Sequence, residues 1–264
     1  MTLYRSLMFR ELRITRKTNI VRFILYILFS AMFIILVYIT AADVLYDNED
    51  PENMQVLLLM ISFWITFTNV FGGLITLIDN GLTKEDIFAG WTRYSRALPV
   101  SPIQKTASSF MVKGLVMAVM LAFTIIQALM IQICTGVELN ILPASINLFL
   151  IGAFDGAVFT LIQQIIYLRF NKKQDIKKVG LIAFAVFYVT GSLLSRLTSG
   201  GESLSEKMRK MADSGDSVQS TEMIKRYITT TGSVKITLIA LALLAVTLAV
   251  HFIIMKKSYE RREA

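Results

Sequence analysis

Asp155 is the acid set deepest in an apolar run of this chain, in the stretch IGAFDGAVF. A carboxylate there costs a few kcal/mol to place in hydrocarbon, so it faces a cavity, finds a partner or is neutralised. Two roles follow. Asp155 lines a path and attracts a cationic cargo or a proton, or it is a hydrogen-bonded structural acid. Gly152 and Gly156 flank it at helical spacing and let a neighbouring helix approach closely. Gln127, Gln132, Gln163 and Gln164 also interrupt apolar runs. Interhelical hydrogen bonds of ~0.5–2 kcal/mol account for them as well as contact with a cargo does. Catalysis lacks its parts. His251 is the only histidine and Cys134 the only cysteine, so a histidine metal cluster, a Ser-His-Asp triad and an internal disulfide are all incomplete. Cys134 reads as a small buried hydrophobe and His251 as a packed or interfacial residue. The chain has no G-x-x-x-x-G-K-[ST] and hence no phosphate-cradling loop of its own. No catalytic, cofactor or metal site is expected, and the chain is not read as an enzyme.

The elements that must carry these residues are membrane helices. Of the 264 residues 55% are hydrophobic, and the mean hydropathy is +0.60. A soluble domain does not hold that excess. Apolar runs of ~20 residues match the ~30 Å hydrocarbon core. The expected fold is all-α, a polytopic membrane protein of one domain, 1–264, with six spans near 20–42, 54–78, 111–135, 146–169, 179–197 and 234–255.

Net charge is +8, but the basic residues cluster at the ends of apolar runs, where they meet membrane lipid headgroups. No basic, aromatic-interleaved soluble face is visible, so nucleic acid is not an expected partner. With the N-terminus cytoplasmic, twenty of the 27 Lys and Arg fall on that side. The other seven lie between Arg196 and Lys235, and loop 43–53 is acidic. Both termini are therefore expected in the cytoplasm.

Residues 1–19 carry Arg5, Arg10, Arg13, Arg16 and Lys17, with Leu3, Leu7, Met8, Leu12 and Ile14 at helical spacing. That profile predicts an amphipathic helix lying in the membrane interface. The first apolar run lacks a small-residue cleavage site and reads as a permanent span, not a signal peptide. The outer loop 198–233 holds two short apolar stripes, Leu204-Met208-Met211 and Met223-Ile224-Tyr227-Ile228, separated by Ser-Gly-Asp at 214–216. Two short amphipathic helices lying on or dipping into the outer leaflet are expected.

The polar interruption 79–110 organises the rest. From Leu82 to Arg96 Gly90 is the only helix breaker, and Ile87, Trp91 and Tyr94 share one face, with Phe88 beside them. Lys84, Glu85, Arg93 and Arg96 fall elsewhere. The run Leu98-Pro99-Val100-Ser101-Pro102 stops this helix, and Ser101 can cap the next one, with Pro102 at its first position. An aromatic face beside mixed charge is what a docking helix needs to seat on a partner.

This stretch resembles a family. Gly90, Trp91, Tyr94, Leu98, Pro99, Val100 and Ser101 match the G-W…Y…L-P-[VI]-S signature of permease subunits of bacterial type-2 ABC exporters. The stretch is similar to the permeases of exporters of phenol-soluble modulin peptides. The sequence departs from that pattern at Pro102, where the family has a basic residue, and at Ser109-Phe110-Met111, where it has Lys-Tyr-Leu. The resemblance implies a transmembrane half-transporter in the bacterial cell membrane. It would pair with a second permease copy or paralogue and bind a separate ABC ATPase subunit that hydrolyses ATP. Helix 82–97 would be the cytoplasmic coupling helix. Glu85, Asp86 and Arg93 would set its register, and Phe88, Trp91 and Tyr94 would anchor it. Asp155, Gln127, Gln132 and Gln163 would line the path of an amphipathic peptide or hydrophobic toxic compound. Two rivals need no ATPase: a proton-coupled carrier using Asp155, and a non-transporting immunity or scaffold protein.

Overall fold

The computed structural model describes residues 2–46, 51–78, 100–135, 139–169 and 217–263. Among these the chain is all-helical: α1 (Thr2–Tyr46), α2 (Pro51–Leu77), α3 (Pro102–Thr135), α4 (Ile141–Arg169), α5 (Ser217–Thr231) and α6 (Val234–Glu263). All but α5 are long and apolar enough to cross a membrane, so a multi-pass membrane protein is the compatible class. Large apolar side chains such as Leu28 on α1, Ile133 on α3 and Val246 on α6 are exposed, as lipid-facing residues are.

The expected interfacial helix 1–19 and first span 20–42 are not separate elements. They form one helix of 45 residues. Between Thr2 and Tyr46 there is no Gly or Pro to break it. Leu7, Glu11, Thr15, Tyr26, Phe33, Val37 and Ala41 are buried along one helical stripe, so the N-terminal part packs on the bundle. Ile14, expected on the apolar stripe, is exposed.

Ser101 caps α3 as expected. Its hydroxyl accepts from the Gln104 amide at 3.3 Å, and its own amide donates to Gln104 Oε1 at 3.0 Å. This reciprocal capping box closes two otherwise unpaired donors. From there α3 runs unbroken into the third span. Helix α4 begins at Ile141 rather than 146, because Pro143 in its first turn needs no intrahelical donor. Helix α6 continues past 255 to Glu263, since no breaker follows Met255.

Helices α2 and α4 run parallel and touch backbone to backbone. A Cβ on Gly152 would meet the Val70 carbonyl, one on Gly156 the Leu74 carbonyl, and one on Gly73 the Phe149 carbonyl. Below them Thr160 Oγ1 donates to Leu77 O at 2.6 Å. This register sets Ile141 level with Leu59, about 12 Å below the start of α2 at ~1.5 Å per residue. Consistently, Ile141 and Ala144 pack with Leu57, Leu58 and Ile61.

Of the two outer-loop stripes, Leu204-Met208-Met211 lies outside the described residues. The other forms α5, and it turns inward. Ile224 and Ile228 join the core with Leu57 and Ile131, and Tyr227 Oη meets Thr66 Oγ1 at 3.1 Å. The joint between α5 and α6 is pinned by Asn147. Its amide donates to Thr231 O at 2.7 Å and Ser233 O at 3.2 Å, and its carbonyl accepts from Thr237 Oγ1 at 2.7 Å. Burial raises the Tyr227 phenol above its ordinary value, against the hydrogen bond with Thr66.

Candidate functional site

The two ends of the bundle differ in chemistry. At one, the core is the apolar cluster of Phe33, Val37, Leu57, Ile131, Ile141 and Ile224. At the other, Glu11, Lys105 and Lys113 are buried, at 6%, 6% and 8% exposure. Ser108 Oγ donates to Glu11 Oε1 at 2.7 Å, tying α1 to the first turns of α3. Lys105 Nζ sits 6.0 Å from the Tyr259 ring centroid, and Lys113 Nζ 5.7 Å from that of Phe110. The same Phe110 ring meets His251 edge-on at 5.2 Å, which ties α3 to α6. Cation–π contacts and a charge-assisted hydrogen bond let these charges leave bulk water.

The N-terminal part of α1, the end of α2, the start of α3 and the ends of α4 and α6 therefore meet at one basic end. Arg169 closes α4 at this end, whereas α5 belongs to the apolar end. The described residues on either side of 170–216 thus sit at opposite ends of the bundle. The expected fifth span, 179–197, lies outside the described residues.

The expected docking residues Glu85, Asp86, Phe88, Trp91, Arg93 and Tyr94 also lie outside them. The two points from which their loop departs do not. Arg22 Nη1 donates to Ile78 O at 3.1 Å, fastening the end of α2 to α1. On the other side Val100 is buried and Ser101 caps α3. Both attachments are at the basic end.

The four expected path residues do not share one surface. Asp155 is buried at 3% exposure on α4, next to the glycine contact with α2. Gln127 is buried in a polar cluster between α1, α2 and α3. There the Tyr26 hydroxyl lies 2.7 Å from Thr124 Oγ1 and 3.4 Å from Asn69 Oδ1 and Gln127 Oε1, and Ser30 Oγ donates to Gln127 at 3.2 Å. Gln132, five residues on, is exposed on another face of α3. Gln163 is half-buried near the basic end, while its neighbour Gln164 is buried against Met255 Sδ at 3.8 Å.

Sequence reasoning passed over Glu11, Tyr26, Asn69 and Asn147. A signal existed for each. Glu11 is the lone acid before Asp43, four residues from both Leu7 and Thr15, and the other three are polar side chains inside apolar runs. Among the described residues no group of three or more His, Cys, Asp or Glu converges on a metal position. No protein-family model, curated protein or solved structure matches this chain.

Proposed function

We propose that this chain is the transmembrane subunit of an ATP-driven exporter. It pairs with a second permease, identical or related, and draws its energy from separate ABC ATPase subunits seated on the 82–97 helix. The signature of the 79–110 loop motivates the reading. The observation that carries it is the fastening of both ends of that loop at the basic end, Ile78 by Arg22 and Val100–Ser101 by burial and the capping box. A push on such a loop reaches α2 and α3 together. Because α2 is locked to α4 through the glycine contacts, α4 and Asp155 move with it. The basic end faces the cytoplasm in this reading, and six spans cross the membrane. The cargo is an amphipathic peptide or a hydrophobic toxic compound. Asp155 and Gln127 are both buried within the subunit and meet the path only when its helices part.

The test is copurification and transport. The solubilised chain brings down an ATPase subunit, and Trp91→Ala weakens that association about 30-fold, the ~2 kcal/mol of a hot-spot aromatic. Export falls with it while the spans stay folded. Unchanged export by Trp91→Ala removes the docking role. A chain that purifies alone and moves substrate under a proton gradient makes Asp155 a proton site and overturns the exporter reading.

A further inference from the structure

An open cavity of about 250 Å³ lies between α1 and α3, level with the last turn of α2. Its walls are apolar, chiefly Phe23, Ile75, Val116 and Met120, with Asn19 and Arg22 at the polar edge. No acid lines it. Ile20, Leu115 and Val119 line its mouth and are exposed, so it opens sideways, where lipid runs, rather than into the bundle. Leu12, Arg16, Asn19 and Phe23 follow one another along a single stripe of α1, and Arg13, Arg16 and Lys17 beside the groove are exposed.

We propose that this groove binds one acyl chain of an anionic phospholipid, with the headgroup phosphate against Arg16 and Lys17. The apolar lining and the sideways opening suit an acyl chain lying along the helices. The volume exceeds the ~150 Å³ at which an apolar cavity already takes up benzene. Charge selects an anionic head, because the rim is basic and the lining carries no acid. Position agrees: the groove sits where α1 changes from the basic segment ending at Lys17 to the apolar run from Ile20.

The experiment uses the full chain in detergent, with dioleoylphosphatidylglycerol or dioleoylphosphatidylcholine added, and reads thermal unfolding and lipid adducts by native mass spectrometry. The phosphatidylglycerol raises Tm and stays bound as one adduct per chain, and the phosphatidylcholine does neither. Val119→Trp fills the groove from an exposed position, so it leaves basal Tm unchanged and abolishes the response. Arg16→Gln weakens the anionic lipid about fivefold, as expected for one basic residue at an anionic surface. Equal responses to the two lipids overturn the proposal, as does a Val119→Trp chain that still answers to phosphatidylglycerol. A Tm rise in the wild type with an amphipathic helical peptide but with neither lipid, absent in Val119→Trp, assigns the groove to cargo and overturns it too. None of these readouts needs an ATPase or transport, so failure here leaves the exporter reading untouched, and the reverse holds.

Discussion

The α2–α4 contact and the α1–α3 contact run through the same bundle, and they are built in opposite ways. Between α2 and α4, glycines remove the side chains and the backbones touch. Between α1 and α3, side chains make the contact, Phe23 meeting Phe123 edge-on at 4.8 Å. A polar cluster around Tyr26 bridges the middle, Glu11 and Ser108 bridge the basic end, and an open groove is left between the two bridges. Close backbone packing has one arrangement and no slack. A side-chain contact beside a cavity leaves room to repack. The first pair is therefore the stiffer of the two.

The contrast can be broken at its strongest point first. Gly152→Ala puts a methyl against the Val70 carbonyl, which is backbone and does not rotate away. A loss of about 3 kcal/mol is expected, read as a drop in Tm and in yield of folded protein. A variant as stable as wild type would show that the two helices are not locked. Next, Tyr26→Phe removes the hydroxyl shared by Thr124, Asn69 and Gln127. The expected cost is about 1 kcal/mol, with hydrogen exchange faster in α1, in α3 and around Asn69 of α2, and unchanged in α4. Equal acceleration in all four helices would mean that the α2–α4 pair is not the stiffer one. The smallest effect belongs to Gln132→Ala, within about 0.5 kcal/mol of wild type, because the residue is exposed and outside both contacts. If export nevertheless falls, Gln132 meets cargo or a second permease.

What could be read from the sequence followed how local the cause was. The start of α3 was legible because a Ser-Pro-x-Gln cap needs only four residues. The apolar runs were legible because length and composition decide them. Gly152 and Gly156 were recognisable as a place of close approach, but which helix approaches is a tertiary fact, and Val70 carries no mark of it. The change near Lys17 from a striped to a uniformly apolar pattern reads as a boundary between two helices. It is a boundary of environment only, since the backbone needs a Gly or Pro to break and has neither. The glutamines show the limit most clearly. Gln127 and Gln132 look alike in sequence, yet one is buried among Tyr26, Ser30 and Thr124 and the other is exposed. Five residues along a helix is a turn of about 140°, enough to separate inside from outside.

The unbroken length of α1 makes it a lever. At ~1.5 Å per residue its 45 residues span about 67 Å, roughly twice the ~30 Å hydrocarbon core. About 20 residues on the basic side of Arg22 form an arm of ~30 Å. A tilt of about 10° about that residue sweeps the tip through ~5 Å, roughly the rise of one helical turn. Glu11, partway along the arm, grips Ser108, so the swing is handed to α3 just beyond the point where the 79–99 loop rejoins the bundle. A small rotation deep among the apolar side chains and a large stroke at the basic end are, for this helix, one motion.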